Sequence, residues 1–407
     1  MELLTNVEIA SIAKQCGYRS VIDWSLEDLS DKVIGYLGDH LKLNIVVLFE
    51  GNQLDLKLFV KCMPRFDKWK AEYLKELSFF KKEFVMLSEL FKEFPDKMGL
   101  REWRPKLYFI RNDLFVFEDV TQQGYKMPNH LEPMDLDDII TTVKTIARFH
   151  SESILFEERK SKSLGRSYSI WEDYKDYLQE PDKGKSWRDT GRNAVIDFLK
   201  EYSSFKTFSD FIQRIETVIP KLFDDAITLM APKPEERNVI VHRDLWTNNI
   251  LIKREYLGSS HAVIVDFQTV LYCCPMLDLS SLIYFNTTKL FRKKYTQEII
   301  NIYYETLSEE LKFADLDINT FIDKTGLNLL YEKSIVFGIT QAALIVPIAT
   351  MPPEKKEEIY CNPETSAKAN VVSRSEEFIE IARENKKYHD RVLELFDEII
   401  ERYIYSS

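Results

Sequence analysis

Residues 239–268 read VIVHRDLWTNNILIKREYLGSSHAVIVDFQ, and this stretch concentrates the side chains that could do chemistry. A polar loop holding His242, Asp244, Asn248 and Asn249 precedes the apolar run Ile250–Lys253, and Asp266 closes a second apolar run. Two such runs around Gly258 form a hairpin, which brings Asn249 and Asp266 to one end. An Asn and an Asp converging there supply hard oxygen ligands for Mg²⁺. Asp244, five positions before Asn249, is then placed to face an incoming hydroxyl. One carboxylate to orient or deprotonate an acceptor, and metal held by Asp and Asn to neutralise phosphate charge, are what phosphoryl transfer requires. Any one of these residues alone would be an ordinary cap or turn former. Their order and spacing favour the chemistry.

Sheet and one long helix must position these groups from the N-terminal side. Leu43–Phe49 and Leu54–Lys61 are β-rich, with a turn expected at Glu50-Gly51-Asn52-Gln53. In residues 68–94, Trp69, Tyr73, Leu77, Phe80, Phe84, Leu87 and Leu90 recur at spacings of three and four, predicting one helix with one buried face. Strands KLYFI and LFVFE follow, and Thr121–Asp135 is rich in turn formers and reads as a linker. Helical periodicity then dominates 136–155, 194–230, 289–312, 320–350 and 373–404, while 158–193 reads as a loop or short helices. The expected division is an N-terminal lobe at 1–120, a hinge at 121–135 and a helical lobe at 136–407.

Composition narrows the classes. A chain of 407 residues exceeds one small domain, and 45% hydrophobic with 30% charged residues is ordinary globular usage. Aromatic residues reach 13%, which suits thick cores or a ring-lined pocket. A net charge of −11 argues against non-specific nucleic-acid binding. The apolar run Val336–Met351 is interrupted by Gln341 and Pro347 and falls short of the ~20 residues of a spanning helix, so a core helix is expected. Five cysteines in no zinc spacing, with no signal-like start, indicate a reduced cytoplasmic protein.

His242-Arg243-Asp244 with Asn249, then Asp266-Phe267-Gln268, resemble the catalytic and metal loops of protein-kinase-like phosphotransferases. The Asp244-Leu245-Trp246 wording narrows this to a resemblance to the ecdysteroid-kinase-like family, relatives of choline kinase and aminoglycoside phosphotransferase. LFVKCMP around Lys61, FFKKEFVML around Glu83, FEDV at 117–120 with Gly124-Tyr125, and IARFHS at 146–151 are similar to family segments in order. The resemblance covers most of residues 35–350. It implies an α+β, protein-kinase-like bilobal fold, with a small antiparallel-sheet N-lobe and a larger, mainly helical C-lobe.

It also implies roles. Lys61 would contact the α- and β-phosphates of ATP, and Glu83 would pair with it, with Glu76 as a rival on the same helix. Glu118 to Val120 would be the hinge whose backbone meets adenine. Gly35-Tyr36-Leu37-Gly38-Asp39-His40 takes the place of the nucleotide-covering loop without its G-x-G-x-x-G pattern. Asp244 would be the base, Asn249 and Asp266 the Mg²⁺ ligands. Asp278 is either a brace for the catalytic loop or an N-cap; Trp246 either lines a substrate pocket or packs the loop. Arg243 stands where most relatives carry Gly. Only eleven residues separate Asp266 from Asp278, with no Ala-Pro-Glu beyond, which argues against protein substrates. The expected function is ATP-dependent phosphorylation of a small-molecule hydroxyl, on an ecdysteroid, another hydroxylated steroid or a xenobiotic. The alternative is a pseudokinase-like protein that binds a small ligand without transfer.

Overall fold

The computed structural model describes residues 3–29, 38–95, 97, 99–181, 185–255, 258 and 260–405. The chain divides into two compact units: Met1–Pro95 with Arg104–Lys126, and Asp96–Trp103 with Met127–Ser407.

The first unit is a five-stranded antiparallel sheet in the order β1-β2-β3-β5-β4. Helix α1 (Asn6–Gln15) precedes β1 (Val21–Asp28), β2 (Asp39–Phe49) and β3 (Asn52–Cys62); α2 (Lys68–Leu77) and α3 (Phe79–Ser88) lead into β4 (Leu107–Arg111) and β5 (Leu114–Glu118). Strand alternation builds the core. Leu41, Leu43, Ile45 and Val47 on β2, with Leu58 and Val60 on β3, pack against Ile9, Ile12 and Ala13 of α1. The β2–β3 loop is two residues long, with Phe49 opposite Asn52, so Asn52 and Gln53 already belong to the strand. Glu50 and Gly51 both take positive φ (50° and 82°), the twist a two-residue hairpin needs.

The single helix expected over 68–94 is two. Ser78 adopts a left-handed conformation (φ 57°), ends α2 and re-aims the chain into α3. The apolar spacing runs on through the break because Leu77 and Phe80 flank it, so periodicity could not show it.

The second unit is mainly helical. Helices α4 (Leu136–Leu164), α5 (Ile170–Leu178), α6 (Lys185–Tyr202) and α7 (Phe211–Thr228) precede four short strands. The stretch expected to be helical over 194–230 is therefore interrupted between Tyr202 and Phe211. Strands β6 (Val239–Val241) and β9 (Leu271–Cys273) pair antiparallel, and β7 (Ile250–Lys253) pairs with β8 (His261–Ile264). Then come α8 (Met276–Asn286), α9 (Lys289–Lys312), α10 (Lys324–Ala349), α11 (Pro353–Tyr360), α12 (Pro363–Val371), α13 (Ser375–Glu384) and α14 (Lys386–Tyr403).

Every residue of α8 is buried, which is why it carries no one-sided apolar stripe. Its neighbour α10 approaches so closely that a Cβ on Gly338 would lie 2.8 Å from the Ser280 backbone. Helix α10 is long and apolar enough to cross a membrane by length and composition, yet 61% of its apolar window is buried inside the unit, as suits a core helix.

Candidate active site

The catalytic-type loop, residues 242–249, connects β6 to β7. Its anchor is Asp278, the third residue of α8 and fully buried. One carboxylate oxygen accepts the backbone N–H of His242 (2.6 Å) and contacts Nε2 of His150 (3.0 Å); the other accepts the N–H of Arg243 (2.6 Å). Nδ1 of His150 in turn meets the Tyr303 hydroxyl at 2.8 Å. Asp278 therefore braces the loop; the helix N-cap is Pro275. Buried carboxylates are held by such donors or not at all.

Arg243 takes positive φ (73°), the conformation glycine adopts without cost. Its N–H bond to Asp278 and an ion pair with Glu180 hold it there; Glu180 also pairs with Arg188 at 2.9 Å. His242 has a structural place. Its Nε2 donates to the Val265 carbonyl (2.9 Å), and its Nδ1 accepts the Asp244 N–H (3.3 Å).

Within this frame Asn249 donates from Nδ2 to both the main-chain carbonyl (2.8 Å) and Oδ2 (3.0 Å) of Asp244. That fixes the amide with Nδ2 toward Asp244 and Oδ1 turned away from it. The Val265 N–H donates to the Asn249 carbonyl at 3.0 Å, which carries the next residue, Asp266, to the same end of the β7–β8 hairpin. Asp266 itself adopts positive φ (70°). The Asp244 carboxyl is pushed up to about 7, first by burial and then by repulsion from Asp266; the Arg243 charge and hydrogen bonds from Asn249 and Trp246 oppose this.

Asp244, Asn249 and Asp266 bring side-chain oxygens to this loop, the donor type a hard cation prefers. The buried Oε1 of Gln268, two residues past Asp266, has no donor. Among the described residues no cluster of three or more His, Cys, Asp or Glu stands ready for a metal. A cation held by Asp266 and Asn249 would complete its shell with water and phosphate oxygens, as Mg²⁺ commonly does.

The first unit holds the other expected residues. Lys61 Nζ lies 2.5 Å from Glu83 Oε2, both buried, and 5.5 Å from the centroid of the Phe80 ring. Glu76 is exposed, so the break at Ser78 gives the pair to Glu83. Gly38 lies beside β3: a Cβ there would meet the Cys62 carbonyl at 3.1 Å and the Phe80 ring at 3.4 Å. Close packing thus explains a glycine at this position. Gly35, Tyr36 and Leu37 lie outside the described residues. At the end of β5 the Glu118 N–H donates to the Lys106 carbonyl (2.8 Å), and the Val120 carbonyl accepts from Gly124 and Tyr125.

The sequence reading did not single out Glu180, and His150 entered only within IARFHS. Neither carries a local signal, because each acts on a partner distant in sequence.

A five-stranded antiparallel sheet bearing the Lys61–Glu83 pair, and a helical unit bearing the 242–249 and 266–268 loops, define the protein-kinase-like α+β class. The model of the ecdysteroid kinase-like family matches residues 34–316, and the chain belongs to that family of kinase-like phosphotransferases. The match ends short of residue 350, where the sequence resemblance was drawn. Among curated proteins nothing matches. Solved structures give distant likenesses. The Plasmodium vivax ethanolamine kinase is 11% identical, with 97% of this chain and 85% of that one covered and a TM-score of 0.41. For the GDP complex of wild-type aminoglycoside 2′-phosphotransferase-IIIa the values are 12%, 95%, 99% and 0.38. For a microcompartment-associated aminopropanol kinase they are 13%, 97%, 98% and 0.38.

Proposed function

We propose that the protein is an ATP- and Mg²⁺-dependent kinase that phosphorylates a hydroxyl on a small molecule. The observation that carries this is the Asp244 carboxylate, gripped by Asn249, raised toward neutrality and set on a loop pinned by Asp278. A carboxyl poised near 7 can take the acceptor proton as the oxygen attacks phosphorus. Asn249 Oδ1 and Asp266 would hold Mg²⁺, which would neutralise phosphate charge and draw the Asp244 carboxyl back down. Lys61, oriented by Glu83, would bind the α- and β-phosphates. Gly38 would lie along the nucleotide, and Glu118 and Val120 would supply the backbone edge for adenine. Family membership points to ecdysteroids or other hydroxylated steroids as acceptors. Five free cysteines suit a reducing cytoplasm.

The test is mass-spectrometric detection of phosphoryl gain. Purified protein is incubated with MgATP and a panel of ecdysteroids, other hydroxysteroids, choline and aminoglycosides, beside Asp244→Asn. A product made by the wild type and absent with the variant is expected. No product anywhere, with no MgATP-dependent thermal shift, would overturn the kinase reading in favour of a ligand-binding protein that transfers nothing.

A further inference from the structure

The helical unit holds one cation whose burial the fold does not explain. Lys356, on α11, is 4% exposed, yet it makes no hydrogen bond or ion pair among the described residues. Its ammonium lies 5.2 Å from the centroid of the Trp246 ring. Burial lowers it to about 8, with only the Cys361 thiol opposing. A buried ammonium with no anion is costly, and a ring face offsets only part of that cost.

Two further observations bear on this cation. Trp246, whose ring Lys356 meets, is two residues past Asp244. Lys356 therefore packs on the loop that carries the group proposed to receive the acceptor proton. Beside Trp246 is a small cavity also lined by His130, Glu132, Phe285, Asn286 and Arg391, with Lys356 at the Trp246 ring rather than among the lining residues. Its volume of about 20 Å³ takes a single water-sized group. Among the described residues His130 Nε2 is buried there without a partner, and burial, then the Lys356 charge, lower that ring's pKa. Lys356 lies beyond residues 34–316, so family membership assigns it nothing.

We propose that Lys356, with Trp246 and His130, forms an acceptor subsite that takes a carbonyl or carboxylate oxygen of the small molecule and rejects cationic acceptors. The oxygen would complete the lysine's missing partnership, and an ammonium ligand would meet like charge in a poorly solvated space. The inference rests on the phosphotransfer reading only in naming the ligand an acceptor; the subsite itself stands on Lys356, Trp246 and His130.

The test uses the full chain and measures binding by calorimetry without nucleotide, apart from transfer. The probes are a hydroxysteroid with a ring ketone, the same steroid lacking the ketone, a hydroxysteroid carboxylate and choline. The ketone and carboxylate are expected to bind about ten-fold or more tighter than the ketone-free steroid, the worth of one charge-assisted hydrogen bond, and choline is expected not to bind. Lys356→Met should erase that preference and Lys356→Arg should keep part of it. Lys356→Met should also melt a few degrees higher, since it removes a buried unpaired charge, which separates lost binding from lost folding. Choline binding as well as the ketone, a preference that survives in Lys356→Met, or no binding of either oxygen-bearing probe at millimolar concentration would overturn the proposal. If MgATP fails to bind while the preference and its loss stand, the kinase reading falls and the subsite remains.

Discussion

Asp278 and Lys356 are both charged, both buried and both close to the same loop, yet they are satisfied in opposite ways. Asp278 receives two main-chain N–H groups that fix loop geometry and a histidine of α4 that orients its carboxylate. Among the described residues Lys356 meets the Trp246 ring face and makes no hydrogen bond or ion pair. A buried charge surrounded by donors is structural, because removing it strands its partners. A buried charge without an anion costs stability and is explained by a ligand. The unit thus separates a group that builds the site from one that awaits an occupant.

The largest effect expected from breaking this comparison is at Asp278. Asp278→Ala leaves two N–H groups and the Nε2 of His150 without partners in the core, so a loss of about 3–5 kcal/mol is expected from denaturant unfolding. Asp278→Asn should cost less, because one amide oxygen still accepts. Next is Asp244→Asn, for which transfer should fall about 10²–10⁴-fold in steady-state rate if the carboxyl is the base. Lys61→Met should weaken nucleotide binding and leave Glu83 a buried carboxylate without its cation; loss of the MgATP thermal shift is the readout.

A pH series sharpens the account further. The Asp244 carboxyl rises from an ordinary 3.8 to about 7 on folding, so the folded state holds its proton more tightly than the unfolded chain. Stability from that proton is present below about 4 and lost as pH climbs toward 7. In metal-free buffer the wild type should therefore lose stability over this window relative to Asp244→Asn, and the difference should level off above it. The smallest effect is expected at Arg243→Gly. Relief of positive φ offsets the lost Glu180 pair and added chain entropy, leaving Tm changed by the equivalent of about 1 kcal/mol or less.

Much of the fold was legible where pattern and contact coincide. The β2–β3 hairpin follows from alternation and Gly51, and the 242–268 residues lie close in sequence as well as in space. Elsewhere the pattern was weak or shared. Helix α1 begins at a Thr5–Glu8 capping box, a local signal that the sequence carries although the helix is short. Strand β1 is a half-exposed edge with a register shift between Val21 and Asp23, so alternation barely marks it. Asp278 could be a cap or a brace until its partners were seen. Lys356 was invisible, because its significance is the absence of a partner and the nearness of Trp246 from a distant part of the chain.

The most direct measurement is MgATP affinity and phosphoryl transfer, taken side by side for wild type, Asp244→Asn and Asp266→Asn. The account predicts that Asp244→Asn keeps Mg²⁺-dependent nucleotide binding and loses transfer, while Asp266→Asn loses the Mg²⁺ dependence of binding as well. Wild-type transfer by Asp244→Asn, or Mg²⁺-dependent binding unchanged in Asp266→Asn, would contradict it.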